Sequence, residues 1–260
     1  MNIVRFNFDS IDSTNLEARR FWHHSDIREQ ARKARGEGNR LAWVFVAKAQ
    51  EAGRGRIGRA WKSPLGGLWT TILWPLGTDA VQAQSIPLLT GLAVVDAMER
   101  GSIPPCRIKW PNDVLISGRK VCGILCELEA GNDISAVIIG IGINANFRAN
   151  DLLPPVSYPV TSLWDETGTK TDLERLLAAL LEELCGKLLK FETEGIAPFL
   201  PLVNARLAWA NSTVTVSRSE AGDLTGILRG VDGQGRLLVE CGGLRVPVLT
   251  GDVRKMVPED

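Results

Sequence analysis

The chain has 260 residues, and its 30 Lys plus Arg balance 30 Asp plus Glu, for a formal net charge of zero. That length suits one large domain with a small appendage, and it buries enough apolar surface to need no disulfide or metal staple. The neutral balance counts against a protein built to ride on nucleic-acid backbones, because phosphate neutralisation supplies most of that affinity and needs a basic excess.

The N-terminal residues lack the basic and apolar regions of a signal peptide. The most apolar run, ISAVIIGIGINAN, is too short to cross a bilayer and is broken by glycines. Cys106, Cys122, Cys126, Cys185 and Cys241 are odd in number, scattered and without a C-x-x-C pair, which reads as reduced thiols in a cytoplasmic protein. His23 and His24 are adjacent among polar residues and suit the surface rather than a metal pair.

In chain order, IVRFNFDS alternates apolar and polar residues and predicts a half-buried strand. Asp12, Ser13 and Thr14 then offer cap chemistry for a helix over NLEARRFW. REQARKARGEGNR reads as a solvated helix end and turn, and LAWVFVAKA as a strand. After a glycine-rich loop comes a second strand, GGLWTTILWPL, then a helix over AQSIPLLTGLAVVDAMERG. CRIKWPNDVLISGRKVCGILCELEA predicts a strand, an Asn-Asp break and a hairpin turning at SGRK. ISAVIIGIGI is a buried strand running into a glycine loop, and DLLPPVSYPV is a proline-rich connection. TDLERLLAALLEELCGKLLKFETEG has the strongest helical spacing, with Thr171 as cap, Glu174 completing a capping box and Gly195 as the stop. From Trp209 onward, four short strands separated by DGQG and GG predict a small all-β module of about 50 residues. Strands mostly in succession with few helices give an α+β class rather than a doubly wound sheet.

Two segments could carry chemistry. In AGRGRIGRAW, Arg54, Arg56 and Arg59 alternate with Gly53, Gly55 and Gly58. The glycines match G-x-G-x-x-G, but a dinucleotide site needs a helix opening inside the motif, and Pro64 with a following strand forbids one. Three readings remain from the residues: an inert arginine loop, a nucleic-acid arm, or a mobile loop whose guanidinium groups hold a carboxylate or phosphate. In KWPNDVLISGRKVCGIL, Lys109, Asn112, Asp113 and Lys120 surround a turn. An Asn and an Asp at a strand end suit a ligand hydroxyl and a hydrated Mg²⁺, and a Lys on the next strand could reach the same phosphate. Ordinary turn chemistry also explains the Asn-Asp pair.

DSTN, Q-x-x-GRGR-x-GR-x-W-x-SP-x-GG, KWPND, GRK-x-x-GIL-x-E, GIGIN and TSL occur together and in the order seen in biotin–protein ligases. The chain resembles that family from about Ser10 to Gly251. The resemblance implies a mixed central sheet with flanking helices, of the class II aminoacyl-tRNA synthetase-like kind, over residues 1–208. It implies an SH3-like barrel over residues 209–260. It also implies ATP and Mg²⁺ as cofactors, biotin as substrate, and a lysine on the biotin carboxyl carrier domain of acetyl-CoA carboxylase, or a related carboxylase, as acceptor.

Carried across on matching residues, the family's roles put Ser13, Thr14, Asn15 and Gln50 at the ureido end of biotin. Gly53, Arg54, Gly55 and Arg56 line its tail and the carboxylate–phosphate junction. Arg59 and Trp61 close over the nucleotide, Asn112 and Asn144 serve it, and Asp113 serves the metal. Lys120 reaches the reacting carboxylate and phosphate, and Gly123, Leu125 and Gly140 form the pocket wall. Arg56, Lys120 and Arg59 are the expected catalytic groups. Glu51 stands where the family usually has threonine, and an acid there could pair with a loop arginine. Members that repress transcription carry an N-terminal helix-turn-helix, for which there is no room before the first strand, so no DNA binding is expected; no membrane partner is expected either, for want of a long apolar stretch, and a monomer or homodimer is. A lipoate or octanoate ligase of the same fold is the enzyme alternative.

Overall fold

The computed structural model describes residues 1–76, 80–101, 103–131, 133–152, 158–218 and 222–256. The chain forms two compact units, Met1–Ala83 with Arg119–Ala178, and Gln84–Gly118 with Ala179–Asp260.

In the first unit, strands β1 (Asn2–Ile11), β2 (Leu41–Gln50), β3 (Leu68–Leu76), β6 (Arg119–Glu129) and β7 (Ser135–Ile143) pair in the order β1-β2-β3-β7-β6. β1 and β2 are parallel, and the remaining pairs of this unit are antiparallel, so the sheet is mixed. The parallel pair needs a crossover. Helices α1 (Thr14–Trp22) and α2 (Ser25–Gly36) supply it. Both drop apolar side chains onto one face of the sheet, where Ala18, Trp22, Ile27 and Ala31 meet Trp43, Phe45, Leu73 and Ile138. β7 is an almost unbroken apolar run because it is paired on both edges and buried.

The solvated end expected over REQARKARGEGNR is a full helix, α2, mostly exposed but pinned by buried Ile27 and Ala31. Ser13 holds the N-cap position of α1 without a side-chain cap bond; Thr14 and Asn15 turn toward the sheet instead. Short helices α4 (Ala149–Leu152) and α5 (Leu163–Thr167) follow β7. Most of the proline-rich connection, residues 153–157, lies outside the described residues.

Helix α6 (Leu173–Glu194) has its cap one residue later than predicted. Asp172, not Thr171, accepts from the backbone N–H groups of Glu174 (3.0 Å) and Arg175 (3.1 Å). Thr171 is held through its own N–H by Asn146, and Glu174 pairs with Arg5 at 2.6 Å, so no capping box forms. Gly195 ends the helix at φ +66°, as expected.

The second unit contains α3 (Ile86–Glu99), the hairpin β4 (Cys106–Lys109) and β5 (Asp113–Ile116), α7 (Leu200–Ala205), and a five-stranded antiparallel sheet. That sheet comprises β8 (Thr213–Ser217), β9 (Leu224–Val231), β10 (Leu237–Cys241), β11 (Leu244–Val248) and β12 (Asp252–Lys255), in the order β11-β10-β9-β8-β12. β12, over GDVRKM, is the strand that periodicity did not predict; four residues are too few to show alternation. α3 is apolar nearly all round and buried nearly all round. Asn204 of α7 accepts from Val231 N–H at 2.8 Å, where β9 bends through Gly230 at φ +141°.

Candidate active site

Strand register builds the floor of the site. Across β2, β3, β7 and β6, one row reads Phe45–Thr71–Gly140–Leu125 and the next Ala47–Trp69–Gly142–Gly123. The rows are two residues apart, so both face the same side. Gly140, Gly142 and Gly123 therefore leave a trough without side chains. A Cβ added at Gly140 would lie 2.1 Å from Asn15 Oδ1, and one at Gly142 would lie 2.6 Å from Trp61 Nε1. At Gly123 the nearest atom is a Trp61 ring carbon at 3.0 Å. Asn15 and Trp61 thus rest on the floor only because glycine is there.

The turn from β1 into α1 delivers Thr14 and Asn15. Asn15 Nδ2 donates to Glu127 Oε2 (2.9 Å) and to the Leu125 carbonyl (3.3 Å), and its Oδ1 accepts from Thr71 Oγ1 (2.7 Å). Thr71 Oγ1 is 2.8 Å from Thr14 Oγ1. Gln50 Oε1 accepts from Thr14 N–H at 2.8 Å and lies 3.0 Å from its hydroxyl. Gln50 Nε2 donates to Ser63 Oγ (2.7 Å), which donates to the Trp61 carbonyl (3.3 Å). One chain of hydrogen bonds therefore runs from Glu127 to the arginine loop. Ser13 is buried beside it, its N–H donating to Asp12 Oδ1 at 2.6 Å. Asp12 also pairs with Arg20, whose hydrogen bond holds its carboxyl below the usual carboxylate range.

The loop between β2 and β3 is an ordered excursion. Gln50 bridges Ser63 and Arg54 bridges Ala60. Trp61 N–H donates to the Gly53 carbonyl (2.8 Å) and Gly55 N–H to the Arg59 carbonyl (2.7 Å). Gly53 is obligatory: an added Cβ would sit 2.3 Å from the Trp61 carbonyl oxygen. Arg56–Gly58 is a single 3-10 turn, so no helix opens in the motif and the dinucleotide reading fails on geometry as well. At its tip Ile57 is 84% exposed and left-handed, at φ +56°. Arg54 and Arg59 are exposed and Arg56 is half-buried. Glu51 Oε1 accepts from Ser10 Oγ at 3.0 Å, back on β1.

Lys120, at the start of β6, holds its Nζ 4.9 Å from the centroid of a Trp61 ring. The TSL segment fixes that strand end: Lys120 N–H donates to the Pro159 carbonyl, and Thr161 N–H to the Lys120 carbonyl. Asn144 braces it from beneath, with its N–H on the Val121 carbonyl (2.9 Å) and Nδ2 on the Thr161 carbonyl (3.0 Å). Asn144 is fully buried, and its Oδ1 has no hydrogen-bond partner among the described residues.

Asn112 and Asp113 lie in the second unit, on the β4–β5 turn after the cis Trp110–Pro111 bond. There Lys109, 5% exposed, holds its Nζ 3.1 Å from Asp252 Oδ1 and 3.7 Å from Asp113 Oδ2. Its ammonium is thus engaged by two carboxylates of its own unit. Among the described residues no three His, Cys, Asp or Glu groups cluster as a metal site. A single carboxylate such as Asp113 fits an ion that keeps its waters and takes substrate phosphates, as Mg²⁺ does.

The structure joins Thr14, Asn15, Gln50, Gly53, Trp61, Lys120, Gly123, Leu125 and Gly140 into one set within the first unit. Sequence reasoning assigned no role to Thr71, Glu127 or Ser63. Glu127 and Ser63 did stand in the motifs GRK-x-x-GIL-x-E and SP-x-GG, and the i, i+2 spacing of Gly123, Leu125 and Glu127 on a strand was a further signal for Glu127.

Known proteins share this construction. The family model described as the biotin/lipoate A/B protein ligase family matches residues 32–144. A biotin protein ligase C-terminal domain model matches residues 211–256. The biotin–[acetyl-CoA-carboxylase] ligase of Paracoccus denitrificans is 36% identical over 76% of this chain and 83% of that protein. The bifunctional ligase/repressor BirA of Escherichia coli is 34% identical over 80% of this chain, which spans 64% of its length. The biotin protein ligase of Aquifex aeolicus, solved in complex with biotin and ATP, superposes with a TM-score of 0.79 at 28% identity, covering 97% of this chain and 99% of that one. The chain belongs to the biotin protein ligase family.

Proposed function

We propose that the chain is an ATP-dependent biotin–protein ligase acting in two steps. The carboxylate of biotin attacks the α-phosphorus of ATP, giving biotinyl-5′-AMP and releasing pyrophosphate. A lysine amine of a biotin carboxyl carrier domain then attacks the mixed anhydride; AMP leaves and an amide forms. Neither step needs a covalent enzyme intermediate. What catalyses both is positioning plus fixed positive charge aimed at phosphate and carboxylate oxygens.

The observation that carries this reading is the joined set of Lys120, Trp61 and the arginine loop over a side-chain-free floor. Thr14, Asn15 and Gln50 make the polar end of the acyl pocket, Ser13 backs it, and Gly123, Leu125 and Gly140 form its wall. Gly53 and Gly55 let the loop backbone approach the ligand. Arg54, Arg56 and Arg59 bring planar donors to the reacting oxygens, and Lys120 adds a point charge there. Trp61 offers an aromatic face to adenine. Asn144 holds the Lys120 strand end, and Asn112 meets the nucleotide. Asp113 would hold Mg²⁺, which neutralises phosphate charge when bound with ATP. Residues 1–208 carry this chemistry, and residues 209–260 help retain ATP and the acceptor.

The test is a single-turnover assay with ATP, Mg²⁺ and biotin but no acceptor. It should release about one pyrophosphate per chain and leave biotinyl-AMP bound. No pyrophosphate, or as much with lipoate as with biotin, would overturn the reading.

A further inference from the structure

β1 ends the strand order of its unit, and among the described residues no strand pairs with its outer edge. The strand is ten residues long, holds no proline, and leaves Ile3 39% and Val4 41% exposed. A long bare edge of that kind is a template for another strand. Two strands, β2 and β3, separate it from β7, and none of the residues of the site lies on it.

The parallel pairing with β2 sorts its backbone groups. Asn2 N–H donates to the Arg40 carbonyl at 2.8 Å, so even-numbered residues turn their N–H and C=O groups to β2, while Ile3, Arg5 and Asn7 turn theirs outward. The register to β2 passes over Asp9, and beyond it the Ile11 carbonyl turns inward to accept from Glu51 N–H at 2.9 Å. The open ladder therefore lies between Ile3 and Asp9.

The sequence of this stretch is self-complementary. Outward from Asn7 in IVRFNFDSI, Phe6 mirrors Phe8, Arg5 mirrors Asp9 and Ile3 mirrors Ile11. We propose that the partner for this edge is a second copy of the chain, paired antiparallel about a two-fold axis at Asn7. Such an isologous pairing sets each residue i against residue j of the second copy, and j against i. Odd residues then face odd ones: Asn7 meets Asn7 and Arg5 meets Asp9 at hydrogen-bonded positions, where the outward backbone groups are. Phe6 meets Phe8 at the position between, where side chains approach closest. Both rings are half-buried, with Phe6 stacked on Phe45 at 5.2 Å, and each keeps exposed surface for the ring opposite. Arg5 is held by Glu174 at 2.6 Å and Asp9 by Lys48 at 2.7 Å. The pair across the axis thus completes a row of four charges of alternating sign: Glu174, Arg5, Asp9 and Lys48. A two-fold at Phe6 or Phe8 instead sets Asp9 against Ile3 or Asn7 and gives Arg5 no carboxylate opposite. Exposed charges of this kind fix the register more than they add affinity.

Sedimentation velocity of the full chain from about 1 to about 100 µM tests the proposal. The wild type should pass from monomer to twice that mass, with a dissociation constant on the order of micromolar, as suits a small interface. Arg5→Asp sets a carboxylate against Asp9 of the second copy, and Asp9→Arg sets a guanidinium against Arg5. Each should weaken self-association about tenfold or more. A one-to-one mixture of the two variants makes both cross pairs complementary again and should restore the dimer to within about threefold of the wild type. Mixing cannot repair the ion pair that each variant loses within its own chain, and thermal unfolding of each alone monitors the fold. Asn7→Pro removes the outward N–H at the axis, spares the ladder to β2, and should abolish the dimer at every concentration. A wild type that stays monomeric throughout, an Asn7→Pro or single-charge variant that dimerises as the wild type does, or a mixture no better than either variant alone overturns the proposal. Biotin carboxyl carrier binding that Asn7→Pro abolishes in an otherwise monomeric chain assigns the edge to the acceptor and overturns it too. The mass measurements do not depend on which ligand the site takes.

Discussion

Gly140→Ala puts the floor of the site under direct strain. Gly140 sits on β7, hydrogen-bonded to β3 on one side and β6 on the other, so its backbone has little freedom to retreat. The new methyl would lie 2.1 Å from Asn15 Oδ1, 2.8 Å from its Cγ and 2.9 Å from its Nδ2. Asn15 must withdraw by about 1 Å, which breaks its 2.7 Å bond from Thr71 and stretches those to Glu127 and Leu125. Each bond is worth about 1 kcal/mol net, and the Thr71 hydroxyl left in a dry site adds a desolvation cost of similar size. The expected loss is about 3 kcal/mol of unfolding free energy by urea denaturation, with an unchanged m-value and biotin binding at least about tenfold weaker by calorimetry. A variant within about 0.5 kcal/mol of the parent and with unaltered biotin affinity would refute the packing account of the site.

Other substitutions probe the remaining parts. Gly186→Ala lies inside α6 with nothing within 4 Å of the new methyl, so urea denaturation should show a gain of about 0.5–1 kcal/mol. Asp172→Ala should cost α6 about 1 kcal/mol as a lost N-cap, whereas Thr171→Ala, which keeps the backbone N–H used by Asn146, should stay within about 0.5 kcal/mol by the same assay. Arg56→Gly removes the half-buried guanidinium of the loop; biotinyl-AMP should escape faster in a filter-binding chase, and bystander amines should become labelled. Burial pushes the Cys185 thiol up to about 11. The folded state therefore keeps a proton that the unfolded state releases above its ordinary value near 9, and stability falls as pH rises through that window, by about 2 kcal/mol at pH 11. Cys185→Ala should flatten that part of the alkaline stability profile.

Most elements were legible because their periodicities are strong. The apolar run of β7, the alternation of β1 and the leucine spacing of α6 each pointed to one structure. The misreadings came from short-range chemistry outvoted by distant partners. Thr171 and Glu174 spelled a capping box, yet Asn146 and Arg5 claim them, leaving the cap to Asp172. Asp12, Ser13 and Thr14 spelled a cap as well, but Thr14 faces Gln50 and Thr71 across the sheet. In the site, the motif residues identified the loop, the lysine and the floor glycines. Glu127 and Ser63 stood inside the motifs without a role, and Thr71 outside them, because their partners come from strand register and loop closure, which no single strand reveals. Glu51 was the apparent oddity of the loop, and its bond to Ser10 gives it a partner on β1.

The central claim is that this chain activates biotin with ATP and passes it to a carrier lysine. The most direct measurement is mass spectrometry of a biotin carboxyl carrier domain incubated with the chain, ATP, Mg²⁺ and equal concentrations of biotin and lipoate. The account predicts a single biotinyl addition on the acceptor lysine, dependent on ATP, with no lipoyl product. An unmodified carrier, or lipoyl and biotinyl products in comparable amounts, would contradict it.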